Sequence, residues 1–256
     1  LKITQNVRGV FMRNTVSVLD ISVDNVTMEE AVERFKILLS EPRVHTIYTP
    51  NAEIMMAAHR DPELKKILTE ADMLLPDGAG VVLASKIIGT PLKERVAGFD
   101  FTVECFKLSS KMNINYFFLG GKPGVAEEAA AKVKIDNPDI KIVGIRDGYF
   151  TSEEEPKIIE SINSSKADVL LVGLGAPKQE KWIHKNKDKL NVKVCIGVGG
   201  TFDGLSGKAK RAPAFFRNNG LEWLYRLYKE PWRYKRMMDL PRFILLVTFK
   251  KLGLKK

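Results

Sequence analysis

The sequence predicts an α/β fold: a mostly parallel, Rossmann-like sheet covered by helices, followed by a basic helical appendage. Three observations carry this. Short apolar runs alternate with helical patterns through residue 200, the runs are rich in β-branched residues without strict alternation, and the pattern changes near Gly204. Strands buried on both faces of a parallel sheet read as continuous apolar runs, because crossover helices cover both sides.

The candidate strands are Val16–Ile21, Val44–Thr49, Met73–Leu75, Ile114–Leu119, Ile140–Ile145, Val169–Gly173 and Val192–Val198. Between them, Thr27 with Glu30 and Thr151 with Glu154 read as capping boxes, in which each residue satisfies a backbone N–H of the other's turn. Asp61-Pro62 reads as an N-cap followed by proline in the first helical position, where no N–H is needed. Strand–helix alternation of this kind builds a Rossmann-like sheet. No internal repeat or low-complexity linker interrupts it.

Residues 212–256 read as short helices punctuated by Pro213, Gly220, Pro231 and Pro241. Leu221, Leu224, Tyr225 and Tyr228 share one helical face, which fits either a second copy of the chain or a membrane. The apolar run Phe243–Phe249, flanked by Arg242 and Lys250-Lys251, is too short to span a bilayer. Basic residues beside aromatics and short apolar stretches suit an interfacial helix set. The expected division is a core over 12–207 and a membrane-associating appendage over 208–256.

Charge sharpens this division. Of the net +10, residues 208–256 contribute 14 Lys and Arg against three acidic residues, whereas residues 1–207 carry 27 against 28. Such asymmetry implies an anionic partner for the tail. Arg and Lys interleaved with Trp and Tyr would also suit single-stranded nucleic acid. The Phe243–Phe249 run fits a lipid interface better, so the expected partner is an anionic membrane surface and not nucleic acid. The two cysteines, Cys105 and Cys195, make no CxxC and suit a reducing cytosol as core residues. His45, His59 and His184 lack zinc-ligand spacing. No secretory signal is visible, and Met12 reads as a natural start after an odd leading segment.

In a parallel α/β sheet, ligands bind outside the carboxyl ends of the strands. Six unusual groups follow candidate strands. In Thr49-Pro50-Asn51-Ala52-Glu53, Asn51 is either a helix cap or a ligand-facing amide, and proline keeps Thr49 extended. In Pro76-Asp77-Gly78-Ala79-Gly80, the Asp-Gly pair is either a turn or a general base presented where glycines let a ligand approach. Gly120-Gly121-Lys122-Pro123-Gly124 suits a phosphate at a helix start, weakly. Gly173-Leu174-Gly175-Ala176-Pro177-Lys178-Gln179-Glu180 ends a strand in glycines and opens a helix. Gly197-Val198-Gly199-Gly200-Thr201-Phe202-Asp203 does so too, and Asp203 either caps a turn or accepts from a ribose or uracil. Asp147-Gly148-Tyr149-Phe150 places an aromatic after a strand, to stack on a base or to pack.

Several function classes are disfavoured. There is no Asp-x-Asp pair for a metal-bridged diphosphate and no nucleophile elbow. The loop Ser22–Val26 has no glycine, which argues against a nicotinamide-dependent oxidoreductase. A diphosphate bound here must be neutralised by Arg, Lys and backbone N–H groups.

The ordered set TPNAEI (Thr49–Ile54), PDGAG (Pro76–Gly80), ERVAGFD (Glu94–Asp100), GLGAPKQE (Gly173–Glu180), GVGGTFD (Gly197–Asp203), KRAP (Lys210–Pro213), GLEWLYRL (Gly220–Leu227) and EPWRYKRM (Glu230–Met237) resembles the WecG/TagA/CpsF glycosyltransferases, glycosyltransferase family 26. The likeness runs from about Val16 to Leu246. Each motif alone is weak; eight in order are specific. The resemblance is strongest to the teichoic-acid branch, and implies an inverting transfer of N-acetylmannosamine from UDP to the 4-hydroxyl of GlcNAc on undecaprenyl diphosphate. The alternative is a sibling using another UDP-sugar, such as UDP-N-acetylmannosaminuronic acid. It also implies no cofactor, no required metal, and a peripheral place on the inner face of the bacterial membrane. Carried over by motif, Asp77 is the general base, Thr49 and Gln179 position donor sugar and acceptor, and Arg95 faces the donor or its diphosphate. Asn51, Tyr149, Gly175 and Asp203 line the nucleotide-sugar pocket. Arg226, Arg233 and Arg236 engage substrate phosphates, and their spacing puts them on one face if Pro231 only bends the helix.

Overall fold

The computed structural model describes residues 13–254, without the side chains of residues 217, 218, 226, 233 and 235; the expected start at Met12 lies outside the described residues. The described residues open with β1 (Thr15–Val18), β2 (Ile21–Asp24), α1 (Met28–Ser40), β3 (His45–Tyr48), α2 (Ala52–Arg60), α3 (Pro62–Thr69) and β4 (Met73–Leu74). It continues through α4 (Ala79–Ile88), α5 (Gly98–Lys107), α6 (Ser109–Met112), β5 (Asn115–Gly120), α7 (Val125–Asp136), β6 (Lys141–Arg146), α8 (Glu155–Ser164) and β7 (Val169–Gly173). The last part holds α9 (Lys178–Asn186), β8 (Val194–Gly197), α10 (Thr201–Ser206), α11 (Ala214–Asn218), α12 (Glu222–Lys229), α13 (Tyr234–Met237) and α14 (Asp239–Lys251).

Six strands form one sheet in the order β4-β3-β8-β7-β5-β6, with every pairing parallel. β3, β7 and β8 are buried along their whole length, as continuous apolar runs require. Alternate residues of each strand feed opposite cores. Leu170 and Val172 join one with α2, α3, α8 and α9, while Val169 and Leu171 join the other with Phe35, Phe101 and α7. The capping box at Thr27 and Glu30 forms, and Asp61 caps α3 ahead of Pro62. At Thr151 only half of the box is present: Glu154 accepts from the Thr151 N–H at 2.9 Å, and the helix starts at Glu155. Cys105 and Cys195 are buried thiols, Cys195 pushed up to about 12 by burial.

Three sequence expectations need correction. Val16–Ile21 is not one strand of the parallel sheet but spans an antiparallel hairpin of β1 and β2. Its turn is Leu19-Asp20, with φ of 52° and 66°, the left-handed pair that a two-residue hairpin turn requires. Neither residue is glycine, so the turn hides inside an apolar run. The hairpin is fixed by Asp24, a fully buried carboxylate. It takes two hydrogen bonds from Arg13 (3.0 and 2.6 Å), one from Arg34 (3.2 Å) and one from the Leu74 N–H of β4 (2.7 Å).

Pro231 breaks the C-terminal helix and does not merely bend it. Proline disfavours helical backbone at the preceding residue, and Glu230 sits at φ −131°, ψ 71°. α12 therefore ends at Lys229, a 3-10 turn covers Pro231–Arg233, and α13 starts afresh. Helical spacing across the break no longer puts Arg226, Arg233 and Arg236 on one face.

The run Phe243–Phe249 is not purely interfacial. α14 packs on α2 and α4, burying Phe243 and Val247 completely, while Leu245 and Phe249 face outward. Gly80 makes the approach possible, since a Cβ there would lie 2.6 Å from Leu240 Cδ1. Arg60 anchors the helix start with two 2.9 Å bonds to Asp239, and this guanidinium holds the Asp239 carboxyl below its ordinary range. That contribution to stability is present above the ordinary carboxyl range and is lost as pH falls through the depressed value. Among the described residues, no helix is long and apolar enough to cross a membrane.

Because Phe243 fills a core site, Phe243→Ala should lower unfolding stability by about 3–5 kcal/mol in guanidinium denaturation. A loss below about 1 kcal/mol would show that α14 is a dispensable attachment.

Candidate active site

All six strands end on one rim, and every sequence-derived motif loop emerges there. After β3, Thr49 and Pro50 lead to Asn51, whose Oδ1 accepts from the Ile54 N–H at 3.0 Å and caps α2. After β4, Leu75 donates to the Tyr48 carbonyl (2.9 Å), which carries the chain past β3 into Pro76-Asp77-Gly78. Gly78, at φ +86°, turns the chain into α4, and a Cβ there would lie 3.3 Å from Asn51 Cβ. Half-buried Asp77 thus stands at the start of α4, beside the β3 loop.

The ERVAGFD segment closes this half of the rim. The Val96 N–H donates to the Pro76 carbonyl at 3.0 Å, and a Cβ at Gly98 would lie 2.7 Å from Thr49 Oγ1. Arg95, Thr49 and Asp77 therefore belong to one cluster of touching segments. The C-terminal part lies over it. A Cβ at Gly220 would meet Ala79 Cβ at 2.8 Å, Arg95 pairs with Glu222 of α12 at 3.3 Å, and Arg236 pairs with Glu53 at 3.0 Å. The side chains of Arg226 and Arg233 lie outside the described atoms; their backbone falls in α12 and the following 3-10 turn.

The other half of the rim is glycine-built. Gly175 (φ +77°) and Gly199 (φ +54°) have open space where a Cβ would stand. Glycine adopts such backbone more readily than other residues, and the missing side chains leave room for a ligand. Gln179 is 3% exposed: its Oε1 accepts from the Gly199 N–H (2.9 Å), and its Nε2 donates to Glu180 (2.9 Å). It ties the loops after β7 and β8 together from beneath and does not project into the open space. Half-buried Asp203 lies in the first turn of α10, close to Gly200. Tyr149 is 64% exposed, after β6 at the sheet edge opposite β4. The loop that carries it leans back over the neighbouring strand ends: the Gly148 N–H donates to the Gly121 carbonyl at 2.9 Å, and a Cβ at Gly148 would lie 2.9 Å from Leu174 Cδ2.

Sequence reasoning left three participants unassigned. Glu222 carries no motif role, yet it meets Arg95. Gly98 looks like a helix residue, yet its missing side chain admits Thr49. Glu180 reads as a first-turn cap, yet it is 1% exposed, and burial pushes its carboxyl pKa up. Among the described residues, no three of His, Cys, Asp and Glu converge as metal ligands; His45 instead lies buried at 3.2 Å from both Glu41 and Asp72, at the opposite end of β3.

This arrangement offers a carboxylate, a hydroxyl and a guanidinium at one end of a glycine-lined rim, under a basic cover. A sequence profile described as the Glycosyl transferase WecG/TagA/CpsF family matches residues 16–256. A protein of Bacillus spizizenii named N-acetylglucosaminyldiphosphoundecaprenol N-acetyl-beta-D-mannosaminyltransferase is 40% identical over 201 residues, covering 78% of this chain and 77% of its own. The protein of that name from Bacillus subtilis strain 168 is 38% identical over 78% of each chain. The one from Staphylococcus aureus strain MRSA252 is 32% identical over 94% of this chain and 95% of its own. With nearly its whole length matched and these relatives beside it, the chain belongs to the WecG/TagA/CpsF family of glycosyltransferases.

Proposed function

We propose that this enzyme moves N-acetylmannosamine from UDP to the 4-hydroxyl of the GlcNAc on undecaprenyl diphosphate, in synthesis of the wall teichoic acid linkage unit. The observation that carries the reading is the pairing of relatives bearing that activity in their names with a rim cluster of Thr49, Asp77 and Arg95. Inversion by single displacement needs a base on the face opposite the leaving group. Asp77 takes the proton of the acceptor hydroxyl as its oxygen bonds to the anomeric carbon and the bond to UDP breaks. Charge developing on the departing diphosphate falls to Arg95 and to the arginines of the cover, Arg226, Arg233 and Arg236, which meet phosphate oxygens as charge-assisted donors. Arg95 is paired with Glu222, so a diphosphate reaching it displaces a carboxylate.

Thr49 orients the reacting sugars. Asn51, Gly175, Asp203 and Tyr149 line the nucleotide-sugar path, with Tyr149 at its outer end. Gln179 contributes by holding the loop at Gly199, since both ends of its amide are engaged. Residues 12–207 make the catalytic core and 208–256 the appendage. Support for a membrane-surface role comes from the appendage's basic excess and its exposed Tyr228, Trp232, Tyr234 and Leu245. Enzymes reaching a lipid-linked acceptor from the cytoplasmic face use such surfaces to stay at anionic lipid.

The direct test is turnover of UDP-N-acetylmannosamine beside a panel of UDP-sugars, with a short-chain lipid diphosphate-GlcNAc acceptor. Activity with the mannosamine donor is expected, and activity only with another donor moves the enzyme to a sibling specificity. Asp77→Asn should lower turnover by about 10²–10⁴-fold while UDP binding persists; near-normal turnover removes Asp77 from the base role. Glu222→Gln should tighten UDP binding about two- to five-fold by titration calorimetry, the scale of a partly exposed ion pair. Unchanged affinity would mean that Arg95 does not meet the diphosphate.

A further inference from the structure

Glu180 is turned inward beneath the rim, although it stands in the first turn of α9, where acidic residues usually face water. It is 1% exposed. One carboxyl oxygen accepts from Gln179 Nε2 at 2.9 Å, and the other, Oε2, is buried without a hydrogen-bond partner. The influences on the group are burial, which raises its pKa, and two hydrogen bonds, from Gln179 and from its own backbone, which oppose it.

A primary amide has one acceptor oxygen and one donor NH2 group, so its orientation is decided by its neighbours. The Gly199 N–H lies 2.9 Å from Gln179 Oε1 and demands an acceptor there. The NH2 group must then face Glu180, and only an acceptor at Glu180 makes that orientation favourable. Reversal of the amide would set an NH2 against the Gly199 N–H, donor against donor. The amide occupies the space that a side chain at Gly197 would take, since a Cβ there would lie 2.9 Å from Gln179 Nε2. Gly199 has open space on its Cβ side. Its backbone is therefore held by the bond to Gln179 where no side chain can brace it.

We infer that Glu180 is a positioning residue for the transfer reaction, fixing the Gln179 amide and, through it, the Val198-Gly199-Gly200 loop that borders the nucleotide-sugar site. This rests on the reading of the rim as that site. Glu180 does not touch substrate; it acts through two successive hydrogen bonds. The loss of one ordinary buried hydrogen bond corresponds to about ten-fold in an equilibrium, which sets the expected effect on UDP binding.

The test compares Glu180→Gln, Glu180→Met and Glu180→Asp in the full chain, by thermal unfolding, UDP titration and steady-state kinetics. Glu180→Gln keeps an acceptor in place and should hold UDP affinity and donor KM within about two-fold of the parent. Glu180→Met keeps the volume but no acceptor, and should weaken UDP binding and raise donor KM about ten-fold, with kcat and acceptor KM changing far less. If the methionine variant does not fold, Glu180→Asp, which withdraws the carboxyl by one methylene, should show the same split. In a Gln179→Met background, Glu180→Met should add nothing further to the loss of UDP affinity. Parent-like UDP binding by folded Glu180→Met or Glu180→Asp overturns the inference alone, as does equal damage by Glu180→Gln. A parent chain that binds no UDP overturns the site reading, and this inference with it.

Discussion

Every strand of the six-stranded sheet points the same way, and this polarity decides where chemistry can occur. β3, β7 and β8 are buried along their whole length, so their faces present only side chains for packing. Polar groups can be displayed only where strands stop. All carboxyl ends fall on one rim, and the loops there must turn tightly while passing close to one another. A Cβ at Gly120 would lie 2.4 Å from the Gly173 carbonyl oxygen, so side chains at those strand ends would force the loops apart. The glycine-rich motifs are thus a packing requirement before they are a ligand site, and the same open space then admits a ligand.

Charge organises the second half of the molecule. Residues 208–256 hold only Glu222, Glu230 and Asp239 as acids. Two of these three bind core arginines, Arg95 and Arg60, while Lys208, Arg211, Arg236 and Lys250 of the segment bind core Glu128, Asp100, Glu53 and Asp20. The exchange in both directions seats the segment and neutralises part of its positive excess, while the remaining basic residues stay available to anions. The anchor at Arg60 is structural, whereas that at Arg95 sits where a diphosphate would compete.

The parallel sheet was legible because buried strands leave continuous apolar runs, and six of the seven candidate strands entered it. The hairpin was not, since Leu19-Asp20 adopts left-handed backbone without the glycine that usually marks it. α14 was misjudged for a different reason: an apolar run records a need to leave water and cannot tell a lipid phase from a protein core. The rim motifs were legible in position, and Asn51 proved to cap its helix as the plainer reading allowed. Strand order was not legible, so nothing in the sequence revealed that Asp77 and Tyr149 follow the two opposite edge strands. Nor could it show that Gln179 and Glu180 turn inward, because helix starts more often keep such side chains in water.

The seat of α14 has a bearing on how the protein is made. Phe243 and Val247 complete the core between α2 and α4, yet every strand of the sheet precedes them in the chain. During synthesis the sheet can therefore assemble while that apolar groove still lacks its occupant, which emerges from the ribosome only afterwards. A nascent chain thus passes through a stage with an open hydrophobic groove, when a chaperone or a second nascent copy can occupy it. Ribosome stalling within the last fifty residues would prolong that stage, and truncation there would leave the groove permanently unfilled.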